Sequence, residues 1–254
     1  MDTAAAPRSS ITKLRLKAGL KKVPGLAQLA RLYKFVTVPA YRSEWRLMRA
    51  NPDNLFQPYS QTSLNRYPRF FSYVREHVQD DLATRILSFG CSIGEEVFSL
   101  RRYFSQAEIV GIDINPHNIA ICNKKMAQLP DEHIHFKLAG STQAEPAASY
   151  DVVFCMAVLR HGKLSATGAK TCDHLIRFED FEKMVCDFCR VLKPGGYLLI
   201  RHSNFRLMDT HVAAQFDTVY SVNPTESPAE TPLYDRNNRL LVDAVYNDVI
   251  FRKR

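Results

Sequence analysis

An α/β fold on a mainly parallel sheet, with helices on both faces and a helical N-terminal extension, is the architecture that this 254-residue chain predicts. Three ordered stretches predict it. Residues 86–96 (ILSFGCSIGEE) read as an apolar strand, a glycine turn and the start of a helix, and residues 109–113 (IVGID) follow as a second strand ending in a carboxylate. Residues 149–159 (SYDVVFCMAVL) read as a buried parallel strand introduced by an acid. Residues 178–192 repeat apolar side chains at Phe181, Met184, Val185, Phe188 and Val191, a helical period, and end in Lys193-Pro-Gly-Gly before the apolar run 197–200.

Each stretch carries chemistry as well as shape. Gly90 and Gly94 permit a tight turn and a close approach of backbone to ligand, and Asp113, about twenty residues on, stands where an acid accepts hydrogen bonds from ribose hydroxyls. The two glycines do not follow the dinucleotide pattern, and Glu95 and Glu96 open the helix. A helix N-terminus normally receives phosphate, so two acids there oppose a pyrophosphate and suit a ligand that presents an ammonium group; alternatively they only offset the helix dipole. S-adenosylmethionine presents such a group.

With the glycine loop, the acid after the second strand and the Val191–Gly196 turn in this order, the sequence resembles the class I S-adenosylmethionine-dependent methyltransferases over roughly residues 60–204. The resemblance implies a Rossmann-like methyltransferase fold, a mainly parallel seven-stranded sheet closed by an antiparallel strand. Within the superfamily the chain is most similar to the chemotaxis-receptor glutamate methyltransferases, whose glycine loop reads Gly-Cys-Ser-x-Gly-Glu-Glu and whose fifth strand ends like Arg201-His202-Ser203. Residues 60–66 match that family's Asn-x-Thr-x-Phe-Phe-Arg segment in the spacing of Thr62 and Arg66. The resemblance implies S-adenosylmethionine as cofactor and Thr62, Arg66, Gly90, Cys91, Gly94, Glu96, Asp113, Ile114, Ser141 and Ala157 as its binding residues. It pairs Arg66 with the methionine carboxylate, a fork geometry that arginine satisfies, and sets Glu96 near the amino group. Two departures separate cofactor from substrate: Ala157 stands at the family's asparagine and His161 at its tyrosine.

Composition narrows the setting. The longest apolar runs, such as residues 152–159, fall far below the roughly 18 residues that a spanning helix needs. Residues 1–7 lead into charged residues rather than an apolar signal core, so the expected location is cytoplasmic, with a peripheral membrane position open. Cysteines 91, 122, 155, 172, 186 and 189 are scattered as reduced thiols would be, and their spacing with His174 matches no familiar zinc pattern, so no metal is expected.

Charge is uneven. The net charge of +8 comes from the first fifty residues, which hold eleven lysines and arginines, from Arg8 to Arg49, against Asp2 and Glu44. Residues 1–54 therefore read as a basic helical extension and residues 55–254 as the catalytic domain. Residues 11–35 read as helix in two pieces broken near Pro24, with leucines among the bases. Three readings of residues 8–49 stay open: a cover packed on the core, a surface for anionic membrane, or a patch for nucleic acid. Residues 162–174 and 223–238 read as rims of the acceptor pocket, the first as its lid.

The expected reaction moves a methyl group to an oxygen or carboxylate acceptor, with a small molecule or glycan as partner. RNA or protein methylation guided by the basic arm, or a non-catalytic S-adenosylmethionine-binding module, are the alternatives. A base is needed only for hydroxyl-like acceptors, and His161 and His202, after the fourth and fifth strands, are the catalytic candidates. The oligomeric state is not predicted.

Overall fold

The structure is a computed structural model that describes residues 26–51, 55–223 and 231–254. The chain divides into two compact units, Met1–Arg46 and Leu47–Arg254.

In the first unit, α1 (Leu26–Thr37) contains no acid and ends with Lys34 in its last turn, where the helix dipole favours a cation. Val38 separates it from Pro39, which opens α2 (Pro39–Ala50), because proline's missing N–H costs nothing at the first helical position. Arg42 donates to the Val36 carbonyl across this break at 3.3 Å, and the Phe35 and Trp45 rings meet edge to face at 5.1 Å. The described break thus lies at residues 38–39; the expected break near Pro24, and the part of the basic arm before residue 26, lie outside the described residues.

The second unit opens with α3 (Pro68–His77) and continues through β1 (Arg85–Phe89), α4 (Glu95–Tyr103), β2 (Glu108–Asp113), α5 (Pro116–Gln128), β3 (Ile134–Leu138), β4 (Tyr150–Met156), α6 (Gly162–Thr167), α7 (Phe178–Val191), β5 (Leu192–Arg201), β6 (Phe216–Ser221) and β7 (Asp248–Lys253). These seven strands form one sheet in the order β3-β2-β1-β4-β5-β7-β6. The first five are parallel, and β7 runs antiparallel between β5 and β6. The strand order reverses between β1 and β4, which opens a crevice at their carboxyl ends.

Both sheet faces are covered, which explains why the central strands are apolar without alternation. Ile86, Val152 and Phe154 enter one core with Phe71, Val97 and Phe104, while Leu87, Val153 and Cys155 enter the other with Phe181, Phe188 and Phe205. In α7, the apolar residues at helical spacing face this second core, and Asn238 reaches from the distant loop to accept the Phe178 N–H at 2.7 Å. The expected turn at residues 193–196 is instead the first part of β5. Leu192 already pairs with Tyr150, and Gly195, at φ +79°, lies where the register shifts.

Residues 162–174, expected as a lid loop, begin with the short helix α6. His161 caps it by accepting the Lys163 N–H, and Gly168 ends it in the left-handed conformation at φ +57°. Residues 224–230 of the second expected rim lie outside the described residues. No helix among the described residues is long and apolar enough to cross a membrane.

Phe181 is fully buried, with its ring 5.3 Å from that of Phe205 and 6.0 Å from that of Phe178. Phe181→Ala is expected to lower the unfolding free energy by about 3–5 kcal/mol, measured by denaturant titration.

Candidate active site

The turn after β1 is shaped by two glycines. Gly90 has φ +73°, and a Cβ there would lie 2.4 Å from Val158 Cγ2; Gly94 has φ +88°, and a Cβ there would lie 2.9 Å from the Phe98 ring. The Gly90 and Cys91 N–H groups both donate to the Ile112 carbonyl, at 2.7 and 3.0 Å. This pins the turn to the end of β2 and brings Asp113 beside it.

Asp113 is buried, and its two oxygens divide their work. Oδ2 accepts the Ser92 N–H of the glycine turn at 2.8 Å, and Oδ1 accepts from Asn115 N at 2.8 Å and Asn118 Nδ2 at 3.1 Å. Burial pushes its carboxyl up from the ordinary range, and these three donors pull it back. Asn118 Nδ2 also donates to Ser60 Oγ at 2.9 Å, so the segment ahead of α3 is tied to the same carboxylate. Sequence reading missed Ser60, Ser92, Asn115 and Asn118. Asn115 had a local signal, because asparagine before Pro116 caps α5 by accepting the His117 N–H at 3.0 Å.

The two acids at the start of α4 part company. Glu95 pairs with Lys125, which also donates to the Ile93 carbonyl at 2.8 Å. Glu96 borders the central cavity, where it accepts the Ser88 hydroxyl at 2.8 Å. Burial pushes its carboxyl up to about 7, against the opposing pull of the Ser88 hydrogen bond and the Arg66 charge. Arg66 itself is exposed, donates to the Gln61 carbonyl at 2.9 Å, and lies over the Tyr67 ring at 5.2 Å.

These groups line one cavity of about 780 Å³. Thr62, Arg66, Gly90, Cys91, Glu96, Asp113, Ile114, Ser141 and Ala157 all border it. Gly94 does not; it turns the chain and packs against Phe98, Phe136 and Cys122. Ala157 sits in the left-handed region at φ +60°, held by its N–H donating to the Arg201 carbonyl at 2.8 Å. Gln57 N donates to the Val158 carbonyl at 3.2 Å, which lays residues 55–63 along the cavity wall. Asp180, Lys183, Met184 and Asp187 supply a wall from α7, and Tyr59, Tyr67 and Arg160 also line the cavity.

The two histidines do not border this cavity. His161 Nδ1 accepts the Lys163 N–H at 3.3 Å, so the imidazole serves as a helix cap, and the His161 backbone N–H donates to Asn204 Oδ1 at 2.8 Å. Burial, with Lys163 and His174 nearby, pushes it down to about 4. His202 packs 6.3 Å from the Tyr67 ring; burial and the charges of Arg201, Arg160 and Arg66 push it down to about 4 as well. Among the described residues, no group of three or more His, Cys, Asp or Glu side chains converges as a metal site.

Residues 80–237, more than half of the chain, match the family model described as a methyltransferase domain. The chain belongs to the methyltransferase domain family. Its cofactor is S-adenosylmethionine. Among curated proteins, the S-adenosyl-L-methionine-dependent Diels-Alderase iccD of Talaromyces variabilis is 31% identical over 117 residues, 44% of this chain and 34% of that protein. The chain thus spans about a third of that relative. Solved structures with partial similarity include Haemonchus contortus phosphoethanolamine N-methyltransferase 2 in complex with S-adenosyl-L-methionine, with 17% identity, 66% of this chain, 34% of that chain and TM-score 0.42. The [4+2]-cyclase SpnF is 20% identical over 68% of this chain and 58% of its own, with TM-score 0.40.

The residues present fit the cofactor. The turn at Gly90 is a cradle that a Cβ would fill, and the donor set offers a carboxylate for a diol, a carboxylate for an ammonium and a guanidinium for a carboxylate. Gly90→Ala is expected to abolish S-adenosylmethionine binding in calorimetry, because Val158 or the turn must move.

Glu96 adds a pH dependence with a definite sign. Its carboxyl is raised above its ordinary value, so the folded protein holds the proton more tightly than the unfolded chain, and ligand-free stability falls as pH rises from about 4.5 to about 7. Cofactor affinity moves the other way, since only the ionised form attracts a cation. Glu96→Gln is expected to raise the ligand-free melting temperature at pH 8 and to remove the gain in S-adenosylmethionine affinity between pH 6 and pH 8. Calorimetry and thermal melts at both pH values check this.

Proposed function

We propose that residues 55–254 carry a methyltransferase that moves a methyl group to an oxygen of a small molecule or glycan, with a carboxylate as the favoured acceptor. The observation that carries this reading is the convergence of Asp113, Glu96 and Arg66 on one cavity from which both histidines are withdrawn. S-adenosylmethionine supplies an electrophilic methyl group on a sulfonium. In this reading Asp113 holds the ribose, Glu96 the amino group and Arg66 the carboxylate, while Ile114, Ser141 and Gly140 receive the base. Thr62 and the rest of the 55–63 segment close over the ligand, which excludes water and aligns the acceptor, the main sources of acceleration for a methyl transfer.

The described cavity wall offers no histidine as a base, only carboxylates such as Asp180 and Asp187, which favours an acceptor that arrives without a proton to lose. A carboxylate oxygen is such a nucleophile, whereas a hydroxyl calls for a base. Histidines pushed down to about 4 hold too little affinity for a proton to serve as strong bases near neutrality. The likeness of residues 90–96 to the chemotaxis-receptor enzymes supports the cofactor arrangement; Ala157 and His161 argue against carrying over their substrate.

Ala157 and the relative named as a Diels-Alderase favour one second reading, in which the cofactor is held and its methyl group stays in place. One experiment separates the two. The protein is incubated with methyl-labelled S-adenosylmethionine and a panel of carboxylic acids and alcohols, beside Asp113→Ala and the double variant His161→Ala/His202→Ala. The first reading predicts base-labile methyl esters, at least about tenfold less product with Asp113→Ala, whose lost charged hydrogen bonds are worth about 1.5–3 kcal/mol, and retained turnover in the folded histidine variant. Tight cofactor binding with no labelled product favours the second reading.

A further inference from the structure

α1 presents Leu29, Leu32, Tyr33 and Val36 at successive helical spacings, which places them on one face of the helix. All four are exposed, by 64, 60, 69 and 63%. Arg31 and Lys34 lie on the opposite side by the same periodicity. A helix whose apolar face is left bare costs solubility, and this face holds the larger part of the helix's apolar side chains. The charge around it is mainly positive. α1 has no acid, and α2 brings Arg42, Arg46 and Arg49 against Glu44 alone. Trp45, 40% exposed, adds an aromatic ring of the kind that settles at a membrane surface.

We infer that α1 docks in the plane of an anionic lipid bilayer, with Leu29, Leu32, Tyr33 and Val36 entering the acyl boundary and the surrounding lysines and arginines meeting the lipid headgroups. Bare apolar side chains on one face and cations on the rest are the two attractions that such binding adds together. A nucleic acid uses the cations and leaves the leucines unexplained, since backbone phosphates offer nothing to an aliphatic stripe. A second copy of this chain explains the stripe and is opposed by the cations, which repel their own images. Of these three, the anionic bilayer uses both features. The inference is independent of the methyl acceptor, because α1 belongs to the first unit and the catalytic reading concerns the second.

The test is co-sedimentation of the full chain with large vesicles of phosphatidylcholine alone, or with about one part in three phosphatidylserine. The expected result is pelleting with the phosphatidylserine vesicles, loss of it at about 0.5 M salt, and little with phosphatidylcholine alone. Leu32→Glu, and separately Arg31→Glu/Lys34→Glu, are expected to reduce vesicle partition at least about tenfold while S-adenosylmethionine affinity stays at the wild-type value, which shows that the variants fold. Failure of the wild type to pellet overturns the inference. So does equal pelleting of folded Leu32→Glu, binding to a short RNA duplex in place of vesicles, or dimerisation in gel filtration that Leu32→Glu abolishes without any vesicle binding.

Discussion

The cavity is organised by one desolvated carboxylate. Asp113 accepts from the glycine turn through Ser92, from the start of α5 through Asn115 and Asn118, and by way of Asn118 it fixes Ser60 in the segment ahead of α3. Two stretches thus share one acceptor and a third is tied to it through Asn118, and the acceptor's burial makes each donor worth more than it would be in water. Withdrawing that charge takes one acceptor from all three donors at once, so the binding site and the local fold are one structure.

The sheet explains why the charge sits there. Parallel strands with the order reversing between β1 and β4 leave a crevice above their carboxyl ends, and the residues after β1, β2 and β4 all face it. Catalytic economy then turns on electrostatics. The chain buries Glu96 at a cost in the ligand-free state, and a bound cation relieves that cost, which is how a site stores affinity for a positively charged ligand.

Local pattern made much of this legible. Asp113 and the Gly90 turn followed from strand period and glycine spacing, because both depend on neighbours along the chain. By helix position Glu95 and Glu96 looked equivalent and the resemblance alone set Glu96 apart; the fold shows that one meets Lys125 and the other Ser88, since helix rotation against the sheet decides it. The histidines were misleading for the same reason. Strand-end position marks a residue as close to the crevice, while its placement is set by partners that no period encodes, as Asn204 holds the His161 backbone and the Lys163 N–H meets its ring. Residues 162–174 hid a helix because its cap is a histidine, a weak signal beside serine or aspartate.

Gly90 and Val158 carry an evolutionary consequence. The missing Cβ of one is the space occupied by a methyl group of the other, at 2.4 Å, so the end of β1 and the residues after β4 interlock without a hydrogen bond. A lineage that acquires a side chain at 90 must first lose volume at 158, and position 158 also borders the cavity. The shape of the cavity at 158 is therefore coupled to the cofactor turn, and changing what the cavity accepts is easier through the exposed Lys183 of α7.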